Sequence, residues 1–229
     1  MHELQHHIFR ELMHHPALRY AELKPAGVEG NHFMYHLRQL MRSGHVVKRP
    51  DGQYELSREG KLHADGLSHK SLKLRRQPRI VTLVVCRNAK GEWLFVRRHR
   101  QPLLDMAGFP YGKIHLGETV VEAAHRELME KTGLTANLVH RGDGYITIHQ
   151  HGEPVSQIMF HLFCGDDPQG QLRDSLAGPV FWAPLSAADE SYMPSVPDLI
   201  DLLEKPAPGR FFVELTYDLK SQTPRRLNA

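Results

Sequence analysis

GKIHLGETVVEAAHRELMEKTGL, residues 112–134, is the stretch whose reading decides the fold of this chain. Thr119 and Glu122 form a T-x-x-E capping box, which starts a helix after Thr119, and Gly133 is a natural stop, so the helix spans about residues 120–132. Within it Val120, Ala124 and Leu128 recur at helical spacing and predict a buried stripe. Glu127 and Glu130 are three apart and share a different face, where they repel unless solvent or a divalent cation offsets their charge. A glycine loop leading into a capped, carboxylate-faced helix suits magnesium and a diphosphate, because Mg²⁺ takes oxygen ligands and shares them with substrate phosphates.

The spacing resembles the Nudix box, G-x5-E-x7-R-E-U-x-E-E-x-G-U with U aliphatic. Gly112, Glu118, Arg126, Glu127, Leu128, Glu130, Gly133 and Leu134 match it, and Lys131 stands where the second glutamate of the E-E pair belongs. The resemblance covers roughly residues 78–205, taking in the strand pair IVTLVVCR and WLFVRR, the stretch VFWAPLSAAD as a later strand and turn, and SVPDLIDLLEK as a closing helix. It implies a mixed β-sheet between helices, and hydrolysis of a nucleoside diphosphate linked to another moiety with Mg²⁺ or Mn²⁺. Carried over residue by residue, it makes Glu127 and Glu130 metal ligands and Arg126 the residue that orients Glu127. Glu118 would pair with the helix or hold a second ion, the Gly112 carbonyl would complete the coordination, and Glu127 is the candidate base. A further base or ligand from outside the box could be Glu153 or Glu190. Arg97 and Arg98, with Arg100 beside them, follow a strand near the expected cleft and are candidates for an anionic substrate group, or are surface charge.

Lys131 changes the local charge by two units beside the expected cation. Either its stem swings to solvent and one ion remains on Glu127 and Glu130, or its ammonium takes the missing ion's place and pairs with the ligand's diphosphate. Tyr111, where many relatives have a second glycine, and His115, where many have a glutamate, also move the loop away from a fully active pattern.

Working towards the N-terminus, residues 69–79 form a basic stretch, HKSLKLRRQPR. Residues 1–77 hold 13 Lys and Arg against 8 Asp and Glu, a net of +5, and the remainder 16 against 18, a net of −2. A basic first third suits a nucleic-acid-binding module, and equally a solvated surface of uneven charge. Leu4, Ile8 and Leu12 predict a helix over residues 2–14, ended by Pro16; a short helix fits Tyr20 to Leu23; Asn31 is placed to cap a third, with Phe33, Leu37, Leu40 and Met41 as its apolar stripe and Gly44 as its stop. HVVKRPDGQYEL reads as a β-hairpin, and Ser57 caps a last helix.

This order resembles the winged helix-turn-helix modules of bacterial transcription regulators over about residues 2–67. The resemblance implies a third helix in the major groove, with Tyr35, Arg38, Gln39 and Arg42 nearest DNA and Lys48 and Arg49 at phosphates; a dimerisation or docking module is the alternative. His2 and His6, or His32 and His36, are four apart, but zinc wants three or four ligands and the spacing supplies no third, so these read as solvated or half-buried histidines.

The expectation is thus an α/β (α+β) chain: a winged helix over residues 1–68, a basic linker over 69–78, and an α/β/α Nudix sandwich with a mixed sheet over 79–229. The two cysteines, Cys86 and Cys164, lie far apart without C-x-x-C spacing, which suggests neither a disulfide framework nor a cysteine zinc site and fits a reducing compartment best. No stretch approaches 18 apolar residues and the first residues lack a signal peptide's apolar run, so a cytoplasmic protein without membrane contact is expected. Its expected partners are a nucleotide-type small molecule, DNA and a second copy of itself. The function expected is hydrolysis; the alternative is a metabolite-sensing transcription regulator whose Nudix domain binds without turnover.

Overall fold

The computed structural model describes residues 2–68, 71–184, 191–204, 209–220 and 223–228. The chain divides into two compact units, residues 1–76 and 77–229. Among the described residues no helix is long and apolar enough to cross a membrane.

The first unit contains α1 (Glu3–His14), α2 (Tyr20–Leu23), α3 (Gly30–Arg42), the hairpin β1 (Val46–Lys48) and β2 (Tyr54–Leu56), and α4 (Arg58–Asp65). His2 caps α1: its Nδ1 accepts the Leu4 N–H at 3.2 Å while Gln5 Oε1 accepts the His2 N–H at 2.9 Å. Ile8, Phe9 and Leu12 of α1 are buried with Leu23 and with Phe33, Leu37 and Leu40 of α3. α3 starts earlier than the expected Asn31 cap: the Phe33 N–H bonds the Glu29 carbonyl at 3.0 Å, so the first turn closes with Asn31 already inside it. Ser57 caps α4 as expected, its Oγ accepting the Gly60 N–H at 2.9 Å.

The histidine spacing read from sequence is corrected here, because His2 joins His32 and His36. The two Nε2 atoms of His32 and His36 stand 3.2 Å apart, and the His2 ring lies 4.0 Å from that of His36 with 12° between planes. Three imidazoles therefore converge, but a ring binds a metal in its own plane, and two parallel stacked rings cannot both aim at one ion. This is a packing stack. Burial, then the neighbouring His2 and His32, lower the His36 pKa and keep its ring neutral.

The second unit contains β3 (Arg79–Arg87), β4 (Trp93–Arg97), β5 (Ala107–Gly108), β6 (Tyr111–Lys113), α5 (Val120–Thr132), β7 (Leu134–Thr135), β8 (Val139–Gln150), β9 (Glu153–Asp166), β10 (Gln169–Gly170), β11 (Val180–Ala183), α6 (Ser195–Glu204), β12 (Phe211–Lys220) and β13 (Thr223–Asn228). The main sheet runs β11-β4-β3-β9-β8-β12-β13, with β5 on β4 and β6 on β3. β3 pairs with β9 and β8 with β12 in parallel, and the other pairs are antiparallel, which makes the sheet mixed. Val81, Leu83, Val85, Phe160 and Leu162 pack one face with Val196, Leu199 and Ile200 of α6. Val84, Cys86, Leu94 and Phe163 pack the other with Ala124 and Leu128 of α5. Covered on both faces, β3 reads as an unbroken apolar run instead of an alternating one.

Candidate functional site

α5 begins and ends where the residues require. Thr119 Oγ1 accepts the Glu122 N–H at 3.2 Å and Glu122 Oε2 accepts the Thr119 N–H at 2.8 Å; Gly133 closes the helix in the left-handed region at φ 77°. The buried stripe includes Ala123, Ala124 and Leu128, and Glu127 with them. Glu127 is only 4% exposed because its carboxylate lies directly on Gly112 of β6: a Cβ at residue 112 would stand 1.8 Å from its Cδ. Glycine is needed at this position for close approach, and a turn has no part in it.

Arg126 binds three carboxylates. Its Nε and Nη2 fork onto Glu118 at 2.6 and 2.8 Å, its Nη1 donates to Glu127 Oε1 at 2.7 Å and lies 3.3 Å from Glu130 Oε2, and Nη2 also donates to the Lys113 carbonyl at 3.0 Å. Charge-assisted, forked bonds of this kind fix orientation as well as energy. Glu118 in turn accepts the His115 N–H at 2.9 Å. The Arg126 bond first, then the His115 bond, hold the Glu118 carboxyl at about 2, far below its ordinary 4.5. Glu118, a candidate ligand from the resemblance, therefore has both oxygens engaged by protein donors. Of the two roles open to it, the structure shows the pairing one.

Glu127 Oε1 is held by Arg126, while Oε2 is buried without a hydrogen-bond partner among the described residues. Lys131 Nζ stands 3.6 Å from Oε2. The stem of Lys131 therefore does not swing away to solvent; its ammonium faces the carboxylate. Glu130 is half exposed at the rim of the site.

These groups open on a cavity of about 410 Å³ whose charged lining is Arg98, Arg100, Lys113, Arg126 and Lys131 against Glu127 and Glu130, with His115 beside them. Five fixed cations against two carboxylates favour an anionic occupant. Arg98, offered by the sequence as a substrate contact, lines this cavity but is 7% exposed, and its donors are committed: Nε to the Arg100 and Pro102 carbonyls at 2.8 and 2.6 Å, and Nη1 to the Tyr111 hydroxyl. Arg98 and Tyr111 together tie the loop after β4 to β6, which is what Tyr111 does in place of a glycine. Arg97 points elsewhere: its guanidinium lies 5.4 Å from the Phe181 ring centre and donates to the Asp105 carbonyl at 2.9 Å. Arg97 ends β4 with its side chain on the Phe181 side and is no part of the cavity lining, whereas Arg98, the first residue of the following loop, is. Arg100, beside them, also lines the cavity. Glu153 sits at the start of β9 and is no part of the cavity lining, and Glu190 lies outside the described residues.

The family model of the NUDIX domain matches residues 77–203. The chain belongs to the Nudix family. Over 88 residues it is 36% identical to the "Putative 8-oxo-dGTP diphosphatase" of Bacillus subtilis (strain 168), which covers 38% of this chain and 53% of that protein. Over 65 residues it is 38% identical to the "Oxidized purine nucleoside triphosphate hydrolase" of Danio rerio, covering 28% of this chain and 40% of that one. The chain thus spans about half, or less, of the length of these curated relatives. Among solved structures, the MutT protein of Bacillus halodurans superposes with a TM-score of 0.49 at 22% identity, over 66% of this chain and 95% of the other. The NUDIX domain of Shewanella oneidensis NrtR, crystallised with ADP ribose, gives 0.42 at 16%, over 67% and 91%.

Nudix hydrolases generally use divalent ions such as Mg²⁺ or Mn²⁺. The residues of this Nudix site fit such an ion: Glu127 Oε2 and the half-exposed Glu130 carboxylate, held only at 3.3 Å by Arg126, are oxygen donors, as a hard cation prefers, and Oε2 is buried with no hydrogen bond to satisfy it.

Proposed function

We propose that this chain is a divalent-cation-dependent Nudix hydrolase that cleaves a phosphoanhydride bond in a nucleoside diphosphate-linked substrate. The observation that carries the reading is the buried Oε2 of Glu127, which accepts no hydrogen bond, on a carboxylate that Arg126 fixes through Oε1 at the edge of a cavity with five cationic side chains. When bound, Mg²⁺ or Mn²⁺ neutralises diphosphate oxygens and lowers the pKa of water. Glu127 and Glu130 would hold it, with the Gly112 backbone adjacent. Arg126 fixes Glu127 and has no contact with substrate in this scheme; it is a positioning residue. Glu127 accepts the proton of the attacking water through the lone pair of Oε2 that neither Arg126 nor the cation would occupy. Arg100, Lys113 and Lys131 meet the phosphates. The curated relatives are named for hydrolysis of nucleoside triphosphates, which supports phosphoanhydride chemistry here; the base they are named for is a property of those proteins.

The distance of 3.6 Å from Lys131 to Glu127 favours a second reading, a receptor that binds the diphosphate with little turnover. In either case we read the first unit as a winged helix that binds DNA. Its support is the element order and the outward residues of α3: Tyr35 is 57% exposed, Arg38 and Arg42 are exposed, and Gln39 is half-buried. Lys48 and Arg49 are exposed on and beside β1, although Arg49 lies 3.7 Å from Asp51 and 3.9 Å from Glu55, which weakens its offer to phosphate. The test is turnover of ADP-ribose, dinucleotides, nucleotide sugars and nucleoside triphosphates with Mg²⁺ or Mn²⁺. Turnover that stops on chelation supports the hydrolase, and saturable binding without turnover supports the receptor.

A further inference from the structure

A second group of ligating side chains lies on the same face of the sheet, away from the Nudix site. His140 and Asp143 are both on β8, three residues apart, and should face opposite sides of a regular strand. They do not, because the strand carries a β-bulge. His140 pairs with Phe163 and Gly142 with Leu162, so Arg141 is an extra residue without a partner on β9. The bulge rotates His140 onto the face of Asp143, whose partner across the ladder is His161. His140 Nε2 then stands 2.8 Å from Asp143 Oδ1 and His161 Nδ1 stands 2.6 Å from the same oxygen.

We propose that His140, Asp143 and His161 form a second metal site, for a borderline transition-metal ion of the Zn²⁺ or Co²⁺ class, with its fourth position open to solvent. Three features carry this. Both imidazoles reach one carboxylate oxygen, so the three donor atoms lie within 4.8 Å of one another, near enough for a single ion to take all three. Two nitrogens and one oxygen form a donor set that suits Zn²⁺, Co²⁺ or Fe²⁺ and not an oxygen-seeking cation. The side chains are 19%, 30% and 19% exposed, enclosed enough to be held by the sheet and open enough to admit an ion. At metal–ligand distances of about 2.0–2.1 Å, tetrahedral ligands lie about 3.4 Å apart, so the two contacts need open by less than about 1 Å. In the metal-free site the ring nitrogens that face Asp143 carry the protons they donate to it; to bind the ion each neutral imidazole shifts that proton through solvent to its other ring nitrogen, so no proton is lost from the pair overall.

The site is separate from the Nudix cation. The ladder runs Gly112 to Thr82 and Thr82 to His161, two strand steps or about 10 Å at roughly 4.8 Å each, and one further step reaches Asp143. Paired metals of a two-metal site lie about 3.5–4 Å apart, so the two ions could not act as one centre.

The test is Co²⁺ titration of the metal-stripped full chain in saturating Mg²⁺, followed by visible absorption, for wild type, His140→Gln, His161→Gln, Asp143→Asn and, as controls, Glu127→Gln and His32→Gln. The expected result is one equivalent of Co²⁺ with the intense bands of a four-coordinate site in wild type and both controls. Loss of a direct ligand should weaken binding by at least the roughly 10–100-fold that loss of an outer-shell partner costs. Zn²⁺ should also raise the melting temperature of the wild type, a readout that needs no variant to fold. Equal Co²⁺ binding by wild type and the three ligand variants, or no Zn²⁺-dependent rise in wild type, would overturn the proposal and leave the cluster as an ion network between strands.

Discussion

Gly112→Ala tests the site through a single methyl group. The new Cβ would lie 1.8 Å from Glu127 Cδ and 1.9–2.0 Å from its two oxygens, where real Cβ atoms essentially never come within 3.0 Å. The carboxylate must therefore retreat by about 1.2 Å or more, which pulls Oε1 off the 2.7 Å bond from Arg126. A displacement of about 1 Å in a reacting group costs on the order of 100-fold in rate, or about 2.7 kcal/mol of transition-state stabilisation. The assay is kcat/KM on whichever nucleotide substrate the wild type turns over, with Mn²⁺ affinity and melting temperature measured alongside. Gly112→Ala should lose about two orders of magnitude in kcat/KM and bind Mn²⁺ more weakly. The same change made in Glu127→Ala should cost little further stability, since no carboxylate remains to be displaced. Gly112→Ala within twofold of wild type, or an equal loss of melting temperature in both backgrounds, would refute the close approach as the reason for this glycine.

Lys131→Glu restores a carboxylate and removes a cation 3.6 Å from Glu127; Mn²⁺ affinity should rise by about tenfold or more, about 1.4 kcal/mol, as read by calorimetry. Because Glu118 has its folded pKa depressed to about 2 from 4.5, the stability it adds is fully present above pH 4.5 and is lost as pH falls towards 2. The urea stability of wild type should thus exceed that of Glu118→Gln by a constant margin at neutral pH, narrowing below pH 4.5. In the first unit, Arg38→Ala should weaken DNA binding and lower the salt dependence by about one counterion, and equal binding and slope would move the contact off α3.

Local chemistry made much of this legible. The capping box and Gly133 set α5 to the residue, and the spacing of Arg126, Glu127 and Glu130 puts three charged side chains in contact at its cavity face. The readings that changed depend on distant partners. Nothing near Glu118 in sequence shows that Arg126, eight residues on, takes both its oxygens. Nothing in HRQPLL shows that Arg98 will be buried under its own loop carbonyls instead of facing substrate. β8 and β9 span 12 and 14 residues, yet their glycines and histidines hide the apolar alternation, and the bulge at Arg141 shifts its phase. The grouping of His161 with His140 and Asp143 is hidden for the same reason, since they meet only through cross-strand register. β12 was missed because its pairing with β8 is parallel, and a parallel partner is reached only through a long crossover that leaves no local signature.

The measurement that bears most directly on the central claim is metal-dependent phosphate or nucleotide release by wild type, Glu127→Gln and Lys131→Glu, assayed together against the nucleotide panel with folding checked for each. Turnover is expected in wild type with Mg²⁺ or Mn²⁺, and its loss in Glu127→Gln, by about 10²–10⁴-fold for removal of a positioned base. Unchanged turnover in Glu127→Gln would remove that carboxylate from the chemistry. No turnover in wild type, with a gain in Lys131→Glu, would contradict the hydrolase and show that Lys131 has converted the site to binding.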